Sequence, residues 1–241
     1  VASRDAEKSV YEAAKAGLKR FLGRAREAVM ASTKKFGTTP DPTAVYSAAP
    51  VWQAEVDRIV NALTPALREG WAAAHLPGNY SPSDPYIQAN LALTRNLLVG
   101  IPDEVHALVV REILAGTNAG QSKEAIAARV DDVLNYTGSE NWDNRARVIA
   151  QTETNRHYNS SLLAHGLLVQ KQDGGSYVKR WQTNMDGRER DAHKRANNQT
   201  RELHNTYLVD DEPLLFPGDP VGSPDNVINC RCGQEIRKVA A

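Results

Sequence analysis

The sequence predicts an α+β chain: a mostly α-helical N-terminal region over residues 1–116, followed by a small α+β C-terminal domain over residues 117–241. Three observations predict it. Apolar residues recur at three- and four-residue steps through the first two thirds, the period of a helix face. Aromatics make up only 6% while alanine is abundant, which favours helix packing over a β-sandwich. After Gly174-Gly175 the helical period gives way to a strand-like run and then to loop-forming residues.

The elements follow in order. Val10, Ala14, Leu18, Phe21, Leu22, Ala25 and Val29 form one stripe across residues 5–35, and Gly37-Thr38-Thr39-Pro40-Asp41-Pro42 ends it. Pro50 suits the first turn of a second helix, whose stripe is Trp52, Val56, Ile59, Val60, Leu63, Leu67 and Trp71. Pro65 lacks an amide hydrogen and is expected to kink that helix or split it in two. A third helix is predicted from Pro85 to Leu98. A fourth opens at Ile101-Pro102-Asp103-Glu104 and ends at Gly116, and Ser122 caps a fifth that runs through Leu134. The sixth begins near Asn144 and is expected to stop at Gly166. Tyr177, Val178, Trp181 and Thr183 then predict a strand, Asn184 to Gly187 a turn, and Arg190 to Ala196 a short helix. Residues 197–225 read as loop, and Val227 to Ile236 as a closing strand.

Bulk composition narrows the function. Lys+Arg and Asp+Glu both number 29, so the global basic signature of a dedicated nucleic-acid binder is missing, though a local patch is not excluded. No apolar run approaches the ~18 residues of a membrane span. The chain opens at Val1 into charged helix rather than a signal peptide. The absent initiator Met fits routine removal, an excised piece, or release from a longer precursor.

Chemistry-bearing residues gather in the last quarter. Cys230 and Cys232 are too close in sequence for an unstrained intramolecular disulfide and fit reduced thiols or metal ligands. With His193 they form a candidate Zn²⁺ set, for which Asp186, His204 or Asp219 is the expected fourth ligand. Their one-residue spacing is tighter than usual for structural zinc, and small buried thiols in a core are the competing reading. Asp186, Arg188, Arg190 and His193 lie within eight residues. Either Asp186 orients His193 as a general base, or Asp186 closes a turn and the arginines pair with carboxylates. No nucleophile motif, phosphate-binding glycine loop or paired-histidine zinc motif accompanies them. On the sixth helix, Glu153 and Arg156 suit an i,i+3 surface pair, while Thr152 and Asn155 face either solvent or the C-terminal domain. The hairpin from Val105 to Leu134 has a second helix with one Lys and one Arg against three acids. That is too few donors for a DNA-recognition helix.

The order of these pieces resembles the phage Mu F-like minor head protein family, also called phage head morphogenesis proteins. The matching segments are Gly120-Gln121-Ser122 with Ala125-Ile126-Ala127, then Arg147 to Arg156, Lys179-Arg180-Trp181, Asp186 to Arg190, His193, Pro217-Gly218-Asp219 and Ile228 to Cys232. Where members often carry an Asp-Gly-Gln turn after the histidine, this chain has Asn197-Asn198-Gln199. The resemblance implies a Mu F-like domain at 117–241 with a structural signature of Thr152, Glu153, Asn155, Trp181, Asp186, Arg190, His193, Pro217, Gly218, Cys230, Arg231 and Cys232. It implies a virion component rather than an enzyme, present in several copies in the phage head near the portal vertex and made in the bacterial host cytoplasm. The implied partners are the portal protein, other head proteins and packaged DNA, with residues 1–116 docking on portal or capsid. No cofactor is expected beyond a structural zinc at His193, Cys230 and Cys232. The alternative is a metal-dependent hydrolase or nuclease-like domain built on the same three residues.

Overall fold

Helical periodicity in the sequence becomes helix where it was expected, with boundaries set by proline and caps. The computed structural model describes residues 1–36, 39–136 and 140–239. Gly37 and Thr38, part of the expected end of the first helix, lie outside them. Helix α1 spans Arg4–Phe36, a 3-10 helix Pro42–Ala48, α2 Ala49–Asn61 and α3 Thr64–Ala73. Pro65 therefore splits the second helical region, and takes the first turn of α3, where its missing N–H costs nothing. Then follow α4 Pro85–Leu98, α5 Ile101–Asn118, α6 Lys123–Leu134 and α7 Glu140–Asp173.

The chain forms two compact units. One consists of residues 12–59 and 95–147, the other of residues 1–11, 60–94 and 148–241. In the first, the stripe residues Leu18, Phe21, Leu22, Ala25 and Val29 are fully buried, and the Phe21 and Trp52 rings sit 5.7 Å apart. The Trp52 indole donates to Leu98 O at 2.7 Å. Buried Glu55 is clamped by Arg20, Nε to Oε1 at 2.7 Å, and by Arg58 one turn along α2. Helices α5 and α6 form an ordinary hairpin. Ser122 caps α6 by accepting from Ala125 N, and Arg129 bonds back to Glu112 at 2.6 Å. Gly116 does not end α5. A Cβ there would stand 2.6 Å from Ile126 Cγ1, so the glycine admits close packing of α6. The left-handed turn is made two residues past the helix, at Gly120.

The other unit is organised around the C-terminal part of α7. Gly166 does not stop this helix. An added Cβ would lie 2.5 Å from Ile236 Cδ1, so the position is a packing notch, and the helix ends instead before Gly174, whose φ is +65°. Strand β1 (Tyr177–Gln182) follows and is the centre of a three-stranded antiparallel sheet. Its neighbours are β2 (Thr200–Glu202) and β5 (Gly233–Lys238), with Lys179 opposite Ile236 and Trp181 opposite Gln234. Helix α8 is Asp191–Ala196. The expected loop 197–225 contains strand β2, a hairpin of β3 (Tyr207–Val209) and β4 (Glu212–Leu214), and a helical turn, α9 (Pro224–Val227). Asp210 and Asp211 both have positive φ, the geometry of a two-residue hairpin turn that matches strand twist. The closing strand starts later than expected, at Gly233. Residues 228–232 are irregular, with Asn229 left-handed at φ 56°.

Two apolar clusters hold this unit. Ala74, Leu162, Leu163, Val169, Tyr177, Leu203, Phe216 and Ile236 make one. Trp181, Ala196, Tyr207, Val209, Leu214, Cys230 and Cys232 make the other, and it carries the candidate site.

Candidate metal centre

The polar face of α7 fixes the irregular segment that bears the thiols. Thr152 Oγ1 accepts from Asn229 N at 3.0 Å, and Gln151 Nε2 donates to Asn229 O at 3.2 Å. Asn155 and Asn159, one turn apart, both donate to Cys232 O, at 2.9 and 3.0 Å. A carbonyl has two lone pairs, and both are satisfied here without water. Gln234 Nε2 then reaches Asn159 O at 2.9 Å, tying β5 to the same helix. Thr152 and Asn155 are thus buried anchors rather than a solvated face.

The pairing of Glu153 with Arg156 differs from the expected surface pair: the two are only 6% and 3% exposed. Arg156 Nη1 donates to both Glu153 oxygens, at 2.8 and 2.9 Å, and its Nε donates to Gly218 O at 3.0 Å. Thr94 Oγ1 donates to Glu153 at 2.6 Å, so it must accept from His157 Nε2 at 2.9 Å, which fixes the Nε2–H tautomer. Burial first, and Arg156 second, pull the His157 pKa down to about 3. Gly218 has φ +85° and packs 3.4 Å from Arg156 Cα at its virtual Cβ, which explains glycine in Pro217-Gly218-Asp219. Asp219 closes that loop by accepting from Leu215 N and Val221 N at 2.7 and 3.1 Å.

Lys179 was missed as a structural residue, although strand alternation puts it on the inward face with Tyr177 and Trp181. It is fully buried, donates to Leu203 O and Leu215 O at 2.9 and 2.6 Å, and lies 5.1 Å over the Tyr207 ring. Burial draws its pKa down to about 7.

His193, Cys230 and Cys232 come together. His193 Nδ1 faces Cys232 Sγ at 3.3 Å and Cys230 Sγ at 3.8 Å, and the three donor atoms all lie within 4.8 Å of one another. All three residues are buried and both thiols are free. Thr183 Oγ1 donates to His193 O at 2.6 Å and accepts from the Trp181 indole at 3.1 Å, so β1 positions α8. Trp181 and His193 meet edge to face at 5.8 Å. A hydrogen bond from the Cys230 thiol, and then His193, lower the Cys232 pKa, while that same hydrogen bond, then burial and then repulsion between the two sulfurs raise Cys230.

None of the expected fourth ligands joins this group. The Asp186 carboxylate is taken by Arg231, Nη2 to Oδ1 at 3.0 Å, and by Arg188 at 3.1 Å, which hold its pKa well below the usual range. It closes the 186–188 turn and does not orient His193, whose Nε2 has no hydrogen-bond partner among the described residues. Asp219 is spent on its own loop, and His204 is exposed. Arg190 reaches Ile228 O at 2.6 Å, so Arg190 braces the segment before the thiols and Arg231, paired with Asp186, braces it between them. A cleft of about 650 Å³ borders the cluster, with Asn155, Asp186, Glu189, Arg190, His193 and Cys232 in its wall.

Compared with known proteins, residues 103–235 match the family described as Phage Mu protein F like protein. No curated protein and no solved structure matches the chain.

Proposed function

Because the chain belongs to the Phage Mu protein F like family, whose members are phage head morphogenesis proteins, we propose that it is a minor head protein seated at the portal vertex. The observation that carries this reading is the ordered match over residues 103–235, more than half the chain. The geometry supports a structural role. Among the signature residues, Thr152, Asn155 and Gly218 bond or anchor backbone, Glu153 is held in a buried ion pair with Arg156, Trp181 bonds Thr183, and Asp186 and Arg231 pair with each other. Among the described residues no further acid or base meets His193 Nε2, so the hydrolase reading lacks a second group beside the His193–thiol contact.

In this reading the helices of residues 1–116 dock on the portal protein or neighbouring head proteins, in several copies per virion. The Mu F-like region over residues 117–241, which carries the cysteine–histidine cluster, is the part they deliver. Tyr46, Leu97, Val99 and Leu114 are large apolar side chains left exposed, and apolar area is the usual source of assembly energy at about 25 cal/mol per Å² before association costs. Synthesis in the host cytoplasm, followed by a part in DNA packaging or delivery, completes the proposal. Among the described residues no helix is long and apolar enough to cross a membrane. The test is a virion reconstruction without imposed symmetry. Density for the chain against the portal supports the reading, and density distributed over the shell away from the portal overturns it.

A further inference from the structure

We propose that His193, Cys230 and Cys232 bind a zinc-type cation through three protein ligands, with the fourth position open to the adjoining cleft. Three observations carry it. The first is donor identity. The only two cysteines of the chain and one of its six histidines converge from segments 37 and 39 residues apart. Apolar side chains pack around both thiols, yet the polar atom that meets both sulfurs is an imidazole nitrogen, His193 Nδ1. The second is distance. Zn–S bonds near 2.3 Å and Zn–N bonds near 2.0–2.1 Å set at the tetrahedral angle put sulfur and nitrogen about 3.5 Å apart. The observed separations of 3.3 and 3.8 Å bracket that edge.

The third is the surround. Side chains outside the trio hold the segments that carry it: Asn155 and Asn159 bond Cys232 O, Thr152 bonds Asn229 N beside Cys230, and Thr183 bonds His193 O while its Oγ1 also accepts from Cys232 Sγ at 3.9 Å. Such outer contacts orient first ligands before the ion arrives. No fourth His, Cys, Asp or Glu completes the set among the described residues, and the bordering cleft of about 650 Å³ supplies an entry path and room for water. Closed structural sites use four protein ligands, whereas three leave an exchangeable position. The inference stands on these residues alone and holds wherever the protein sits in the virion.

Cobalt(II) tests it, because thiolate ligands give intense charge-transfer bands and the coordination number sets the visible spectrum. The full chain, stripped with a chelator and checked by circular dichroism for retained fold, is titrated with Co²⁺ and then Zn²⁺. The expected result is about one Co²⁺ per chain with two-thiolate bands, displaced by Zn²⁺ and shifted by added azide at the open position. Cys230→Ser and Cys232→Ser each lose roughly half the charge-transfer intensity, and His193→Ala weakens binding at least about tenfold. Folded wild-type chain that shows no thiolate bands overturns the proposal without recourse to any variant. Bands insensitive to azide overturn the open position.

Discussion

At the scale of single residues, the two asparagines on α7 do the work of a fastener. Both bond the same carbonyl, so their effects on stability should not add. Asn159→Ala alone leaves Cys232 O still served by Asn155, at an expected cost of about 1 kcal/mol. Removing both strands a buried carbonyl, and the second deletion should cost about 1–3 kcal/mol more than the first. Urea unfolding of the two single variants and the double variant measures this; strictly additive losses would exclude the shared acceptor. His157 offers a pH test. Its folded pKa, about 3, lies below the ordinary 6.5, so the unfolded chain binds the proton first. Stability is therefore full above pH 6.5 and declines as pH falls from there toward 3. Between pH 7 and 5 this one group accounts for about 2 kcal/mol. His157→Gln should be less stable at pH 7 yet lose less on acidification, and parallel pH slopes for both proteins would rule His157 out as the source.

At the scale of elements, α3 crosses close against α7. A Cβ on Gly70 would fall 2.0 Å from Tyr158 O, a backbone atom that cannot swing aside. Ser161 Oγ donates to Leu67 O at 2.6 Å across the same crossing. Gly70→Ala should improve helix propensity locally and still destabilise by about 3 kcal/mol, since the helices must separate. A thermal midpoint equal to or above that of the native sequence would refute the crossing. Gly70, Gly116 and Gly166 also show where the sequence is legible. A periodic stripe such as Trp52, Val56, Ile59 reports burial directly, because a helix face has one period. A glycine within a helix can mean a cap or a close neighbour, and only the partner distinguishes them, which is why Gly116 and Gly166 read as stops. Strands β2, β3 and β4 have three residues each, too few for alternation to show. The turn Asp210-Asp211 between Val209 and Glu212 was the available signal. In the site, His193 and the thiols were legible from donor chemistry, whereas the partners of Asp186 and the burial of Glu153 and Arg156 depend on residues distant in sequence.

At the scale of the whole molecule, charge separates the proposed partners. Twenty-nine basic side chains balance twenty-nine acidic ones, and many are already paired within their own unit, as Arg26 is with Asp131 and Arg195 with Asp210. A chain with no net charge releases few counterions from duplex DNA, so any contact with packaged DNA must come from a local patch of a few phosphate contacts. Docking through apolar helix faces has no such salt dependence. The two interactions should therefore differ in their sensitivity to ionic strength. Between 50 and 200 mM salt, portal affinity should change by no more than about threefold, while affinity for a duplex oligonucleotide, weak at the outset, should fall roughly tenfold or more. Fluorescence anisotropy with labelled duplex and with purified portal, on the same preparation, measures both. Tight duplex binding that persists at 200 mM salt would overturn the ordering of partners and make DNA, rather than the portal, the surface this head protein recognises.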